Sequence, residues 1–77
     1  MAVGAYILIN VESGKINQVL KALKELAEVQ EAYPVTGDYD AIVQIEAEEL
    51  DDIHQLVAEK IHCIEGVKRT RTHVILE

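Results

Sequence analysis

Val35-Thr36-Gly37-Asp38-Tyr39-Asp40-Ala41 separates two segments in which apolar and polar residues alternate, and that arrangement decides the fold. Before it, over residues 28–36, Val29, Tyr33 and Val35 oppose Gln30 and Ala32. After it, Ala41, Val43, Ile45 and Ala47 alternate with Ile42, Gln44 and Glu46. A period of two is the pattern of β-strands, because successive side chains point to opposite faces. Gly37-Asp38 therefore reads as a tight hairpin connection. Pro34 lacks a donor for a central ladder, so the first strand of this pair belongs at a sheet edge.

Toward the N-terminus, Val3 to Val11 forms another strand, with Val3, Ala5, Ile7, Ile9 and Val11 on one face and Tyr6 and Leu8 on the other. Ser13 offers an N-cap hydroxyl. Ile16, Val19, Leu20, Leu23, Leu26 and Ala27 follow at the spacing of an amphipathic helix whose outer face carries Lys15, Gln18, Lys21 and Glu25. Toward the C-terminus, Leu50, Ile53, Leu56, Val57, Ile61 and Ile64 mark a second helical face. The acidic run Glu46, Glu48, Glu49, Asp51, Asp52 leads into it, where the helix dipole favours negative charge, and so needs no ligand to explain it. Gly66 is expected to stop this helix. A last strand then places Lys68, Thr70, Thr72, Val74 and Leu76 on one side and Arg69, Arg71, His73 and Ile75 on the other.

The order is βαββαβ, which predicts an α+β, ferredoxin-like sandwich with both helices on one face of an antiparallel sheet. Right-handed crossovers put strands one and three in the centre and strands two and four at the edges. The face turned away from the helices would carry Tyr6, Leu8 and part of the strand-three and strand-four aliphatics. On so small a domain that exposure predicts a homodimer with facing sheets.

At 77 residues there is room for one core only. With no Phe, no Trp and three Tyr in a composition that is 49% apolar, that core must be aliphatic. Fourteen acidic against seven basic residues give a net charge of −7, the wrong sign for direct binding to nucleic acid. The chain shows neither a signal peptide nor a run long enough to span a membrane, so a cytoplasmic protein without membrane partners is expected. Cys63 stands alone, which excludes an internal disulfide, and its place beside an apolar helix face suits a small core or boundary residue rather than a nucleophile. His54, His62, His73 and Cys63 lack metal-ligand spacing, so no metal and no cofactor are expected. No nucleophile or base has a visible partner, and His73 is the one candidate for catalysis. The chain is therefore not expected to be an enzyme.

The hairpin is the candidate site. Backbone N–H groups at Gly37 can hold a carboxylate, and Asp38 or Asp40, flanking Tyr39, can pair an ammonium; together they match the two charged ends of a free amino acid. Asp is also a common turn residue for its own backbone hydrogen bonds. The hydroxyls of Thr70 and Thr72 could complete the site, although Thr is also simply a good strand former. Arg69 and Arg71, next to Lys68, read as partners for carboxylates at a subunit contact.

These residues resemble the effector-binding and oligomerisation (RAM) domain of the Lrp/AsnC regulators. The likeness rests on Ala5 to Val11 as first strand, the hairpin 35–41, and Ile64-Glu65-Gly66-Val67 ahead of a last strand holding Thr70 and Thr72. It implies dimers with facing sheets, often assembled as rings of four dimers, an octamer, with free amino acids bound in clefts between dimers. Gly37, Asp38, Tyr39 and Asp40 would line such a cleft, with Thr70 and Thr72 from a neighbouring subunit. Full-length members carry an N-terminal helix-turn-helix domain, whereas here the first strand begins at residue 3. The expectation is accordingly a single RAM domain over 1–77 with no helix-turn-helix domain. Its expected function is an amino-acid-binding regulatory and oligomerisation module that can co-assemble with full-length Lrp/AsnC-type regulators. The alternatives are a ligand-free structural adaptor and, behind it, a dimeric ferredoxin-like barrel enzyme.

Overall fold

The computed structural model describes residues 2–76. Four strands, β1 (Val3–Val11), β2 (Val29–Pro34), β3 (Ala41–Ala47) and β4 (Val67–Val74), form one antiparallel sheet in the order β2-β3-β1-β4. Helix α1 (Ile16–Lys24) joins β1 to β2, and α2 (Leu50–Leu56) continues as a π-helical turn (Val57–Ile61) before β4. The ferredoxin-like α+β sandwich expected from the strand and helix periods is the one found, with Pro34 on an edge strand.

Both helices cover the same face because the alternation in the strands is strict. Ala5, Ile7 and Ile9 of β1 pair with Ile45, Val43 and Ala41 of β3, and all six are buried. Val19, Leu20 and Leu23 of α1, with Ile53, Leu56 and Ile61 of the second helix, close over them to form a single core. Fully burying a Leu or Ile side chain contributes about 1.5–3 kcal/mol. The stripe of such residues holds the helices on that face.

Local details depart from the sequence expectations. Helix α1 ends at Lys24, so Leu26 packs on the core from the following turn and Ala27 is exposed. Its N-cap is Lys15 rather than Ser13, with Gly14 at φ 83° turning the chain between them, and no side chain caps the helix start. Strand β2 contains a bulge: Val29 pairs with Ile45 and Glu31 with Gln44, so Gln30 has no opposite number. That extra residue restarts the alternation, placing Ala32 in the core and leaving Tyr33 and Val35 exposed.

The second helix ends at Ile61, several residues before Gly66. Leu56 and Ile61 are both buried although five residues apart, a spacing that swings away from one face in an α-helix. The wider turn, closed by the His62 N–H donating to the Val57 carbonyl at 2.9 Å, brings them into line. Cys63 lies beyond the helix and is exposed, contrary to the boundary position expected of it. Leu50 is likewise exposed at the first turn. At that end Asp52 Oδ2 accepts the Glu49 backbone N–H at 3.2 Å, so the acids serve the helix start as expected.

Candidate functional site

Residues 35–40 join β2 to β3, and the loop is longer than a two-residue turn. Val35 N–H donates to the Asp40 carbonyl at 2.9 Å, and residues 36–39 project beyond that closing pair with Gly37 at φ 108°. A glycine is required there, since a Cβ is disfavoured at that φ.

Asp40 is tied down at three points. Its N–H donates to the Ile9 carbonyl at 2.9 Å, its carbonyl receives Val35, and its Oδ2 accepts the Val11 N–H at 2.8 Å. Asn10 Nδ2 donates to the Asp38 carbonyl at 2.8 Å and steadies the tip. The loop therefore stands at the Val11 end of the sheet on a fixed base. Among the described residues, the backbone N–H groups of Gly37, Asp38 and Tyr39 have no backbone acceptor, and the Asp38 carboxylate, on an exposed residue, has no hydrogen-bond partner. Of the carboxylates flanking Tyr39, Asp38 is the one free to meet a ligand with both oxygens.

Thr70 and Thr72 stand on β4, opposite Ile9 and Ile7 of β1, and so share the helix-covered face. Thr70 Oγ1 lies 2.8 Å from His62 Nε2, which occupies its hydroxyl within the chain. The structure thus brings Gly37, Asp38, Tyr39 and Asp40 together in one loop and keeps Thr70 and Thr72 apart from it, across β1.

A hollow beside the hairpin was not anticipated from the sequence. Val11, Ile16, Pro34 and Val35 line it with Asp40, and the turn 12–14 ahead of α1 supplies its rim. The turn is held there by the Glu12 N–H donating to the Gly66 carbonyl at 2.8 Å and by Lys15 pairing with Glu65 at 2.8 Å. The only hint in the sequence was the apolar Pro34-Val35 pair before the loop, which pattern alone assigns to a strand. Among the described residues no group of His, Cys, Asp and Glu side chains is arranged to hold a metal ion, and no helix is long and apolar enough to cross a membrane.

The geometry defines the class as a small ferredoxin-like α+β domain with a polar loop raised at one end of its sheet. Residues 4–77 match the family described as the Lrp/AsnC ligand binding domain, and the chain belongs to that family. It is 36% identical over 73 residues to the HTH-type transcriptional regulator FL11 of Pyrococcus furiosus, a match covering 95% of this chain and 48% of the relative. The chain thus spans about half the length of that regulator. Among solved structures it is similar to FFRP-DM1, with a TM-score of 0.92 and 38% identity over 96% of this chain and 99% of that one. It is also similar to AsnC of E. coli, with a TM-score of 0.92 and 30% identity over 97% of this chain and 51% of that one. The relatives that match over most of this chain are named as transcriptional regulators.

Proposed function

We propose that this domain binds a small free amino acid at the hairpin 36–40 and oligomerises through its sheet, joining assemblies with longer Lrp/AsnC-type regulators in the cytoplasm. The observation that carries the reading is the rigid loop whose tip leaves the N–H groups of Gly37, Asp38 and Tyr39 and the Asp38 carboxylate available. Such N–H groups suit a ligand carboxylate, and Asp38 suits its ammonium. The adjoining hollow of Val11, Ile16, Pro34 and Val35 favours an aliphatic side chain. The loop alone makes an open half-site, and a neighbouring subunit would supply the other half, Thr72 among its candidates. Thr70 would first have to release His62.

The test is a thermal-shift screen of the twenty amino acids, with native mass spectrometry to count subunits and bound ligand. A binder at one hundred times its Kd stabilises the folded state by about 2.7 kcal/mol. Asp38→Ala should remove that shift while leaving the unliganded midpoint nearly unchanged. No shift at millimolar concentration for any amino acid would rule out the sensing reading. It would leave the ligand-free adaptor, which the openness of the half-site favours second.

A further inference from the structure

The two edges of the sheet are built differently. The β2 edge carries Pro34, which has no N–H, and the bulge at Gln30 interrupts its rhythm. Over residues 69–74 the β4 edge has neither obstruction, and these residues pair in unbroken register with 5–10 of β1. Strand β4 has β1 on one side only, so the backbone N–H and C=O groups of its alternate residues point outward, and among the described residues they meet no ladder partner. The side chains along this edge are basic in a chain that is acidic elsewhere. Both arginines of the molecule stand here with Lys68, and no Asp or Glu occurs between residues 66 and 76. The neighbouring strand β1 has no charged residue to offer them. Arg69, Arg71 and His73 lie opposite Asn10, Leu8 and Tyr6 on the open face of the sheet and are exposed. Among the described residues the ion pairs are Lys15 with Glu65 and Lys60 with Glu28, so Lys68, Arg69 and Arg71 are unmatched.

We infer that the β4 edge takes an added strand from a different protein: an extended segment with acidic residues at alternate positions, running antiparallel to β4. In antiparallel pairing, residues directly opposite share a face, so acids two apart in the segment meet Arg69, Arg71 and His73 in turn. The intervening residues fall beside Thr70 and Thr72, which are half-buried on the helix-covered face, and small or β-branched side chains suit that row. Main-chain hydrogen bonds to the outward groups of β4 hold such a segment, and the row of opposite charges chooses it.

A second copy of this chain is a poor occupant of the edge. Laying β4 against β4 joins two basic strands with no acid in either, and laying β4 against β2 meets Pro34 and the bulge. Charged side chains commonly guard an edge strand against its own kind. Here the guard is of one sign, which leaves the edge open to a strand of the other. The guanidinium is a planar fork that takes a carboxylate through two parallel hydrogen bonds, so arginine suits this row better than lysine. The inference is independent of the hairpin site. It is also compatible with oligomerisation through the sheet, because the outward backbone groups of β4 lie in the sheet's plane rather than on its face.

Fluorescence anisotropy on the full chain tests this, with a labelled eight-residue peptide of alternating Glu and Thr, the length of β4, as the probe. Its comparisons are a Lys and Thr peptide of the same length and two Glu and Thr peptides N-methylated at every Glu or at every Thr. The Glu and Thr peptide should bind, and the Lys and Thr peptide should bind more weakly by about tenfold or more. Alternate N–H groups of an added strand face β4, so one methylated peptide should lose binding while the other keeps it. The variant R69E/R71E, with folding checked by circular dichroism, should weaken binding by about tenfold or more, whereas K21E/K24E, the same change of charge on α1, should leave it nearly unchanged. Equal effects of the two methylations would overturn the added strand, and equal weakening by the two charge variants would overturn its place at β4. No binding of the Glu and Thr peptide at millimolar concentration would overturn the inference outright. If R69E/R71E then altered the sedimentation of the chain, the edge would belong to a second copy instead.

Discussion

Asp40 Oδ2 accepts the Val11 backbone N–H at 2.8 Å, while the Asp40 N–H donates to the Ile9 carbonyl. The ladder between β1 and β3 ends at Ile9 and Ala41, so Val11 has no strand partner on that side. The side chain of Asp40 adds the missing rung. An acid in a turn beside a glycine invites a ligand-binding interpretation, yet here one of its oxygens is spent on the fold.

Asp40→Ala should therefore lower stability by about 1.5–3 kcal/mol, the usual worth of a hydrogen bond to a charged group with its partner left unmet. Asp40→Asn keeps an acceptor and should lose less than half as much. Urea unfolding of both variants checks this, and an Ala variant as stable as wild type would remove Asp40 from the scaffold.

The glycines offer a graded comparison. Gly66 has φ 103°, and a Cβ there would lie 3.0 Å from both the Lys15 Cβ and the Val19 Cγ2, whereas Gly14 and Gly37, also at positive φ, face open space. Ala at Gly14 or Gly37 should cost about 1–2 kcal/mol from backbone strain alone. Gly66→Ala adds a clash with a core side chain and should cost at least 1 kcal/mol more. Equal midpoints for the three variants would contradict this packing.

Stability should fall off at both ends of the pH scale through two ion pairs. Lys60 donates to Glu28 at 3.0 Å and Lys15 to Glu65 at 2.8 Å, and these hydrogen bonds hold both carboxyls below their ordinary 4.5. A lowered folded pKa means the contribution is complete above 4.5 and is lost as pH falls through the lower folded values. Lys15 is shifted upward from 10.5 by the same hydrogen bond to Glu65, so its contribution is complete below 10.5 and lost as pH rises through the higher folded value. The pairs are exposed enough that salt should weaken them. The test is the pH dependence of chemical unfolding: Glu28→Gln with Glu65→Gln should flatten the acid limb, and 1 M NaCl should flatten it in wild type.

Ile53 is wholly buried where the second helix meets the sheet. Ile53→Ala should cost about 2–5 kcal/mol, much of the stability expected of so small a domain. Ile53→Val should cost about 0.5–1.5 kcal/mol. Comparable loss in both would show that the site closes over the cavity.

The architecture was legible because period is a strong signal when one face is packed and the other is not. Ala5, Ile7 and Ile9, with Ala41, Val43 and Ile45, alternate without a break, and they pair as that pattern requires. Where a residue is inserted or a turn widened, period misleads. The bulge at Gln30 and the π turn after Leu56 each shift the phase by about one residue, and neither carries a composition of its own. Boundaries at Ser13 and Gly66 failed for a related reason, since suitable capping residues stand near the helix ends without occupying them. For the candidate site, the sequence identified the loop. The division of labour between Asp38 and Asp40 depends on where Val11 falls in space, and the hollow of Ile16 and Val35 joins residues that are remote in the chain.

Pro34 closes the β2 edge and the bulge lies a few residues before it. Joining copies strand to strand would make an open ribbon that can lengthen without limit, and an edge with a missing donor and a broken rhythm is a poor template for it. A broad face that meets its own copy is instead used up in a single encounter. If copies pair as proposed, growth is counted in pairs, and the hairpin at the sheet's end is left clear of the shared face.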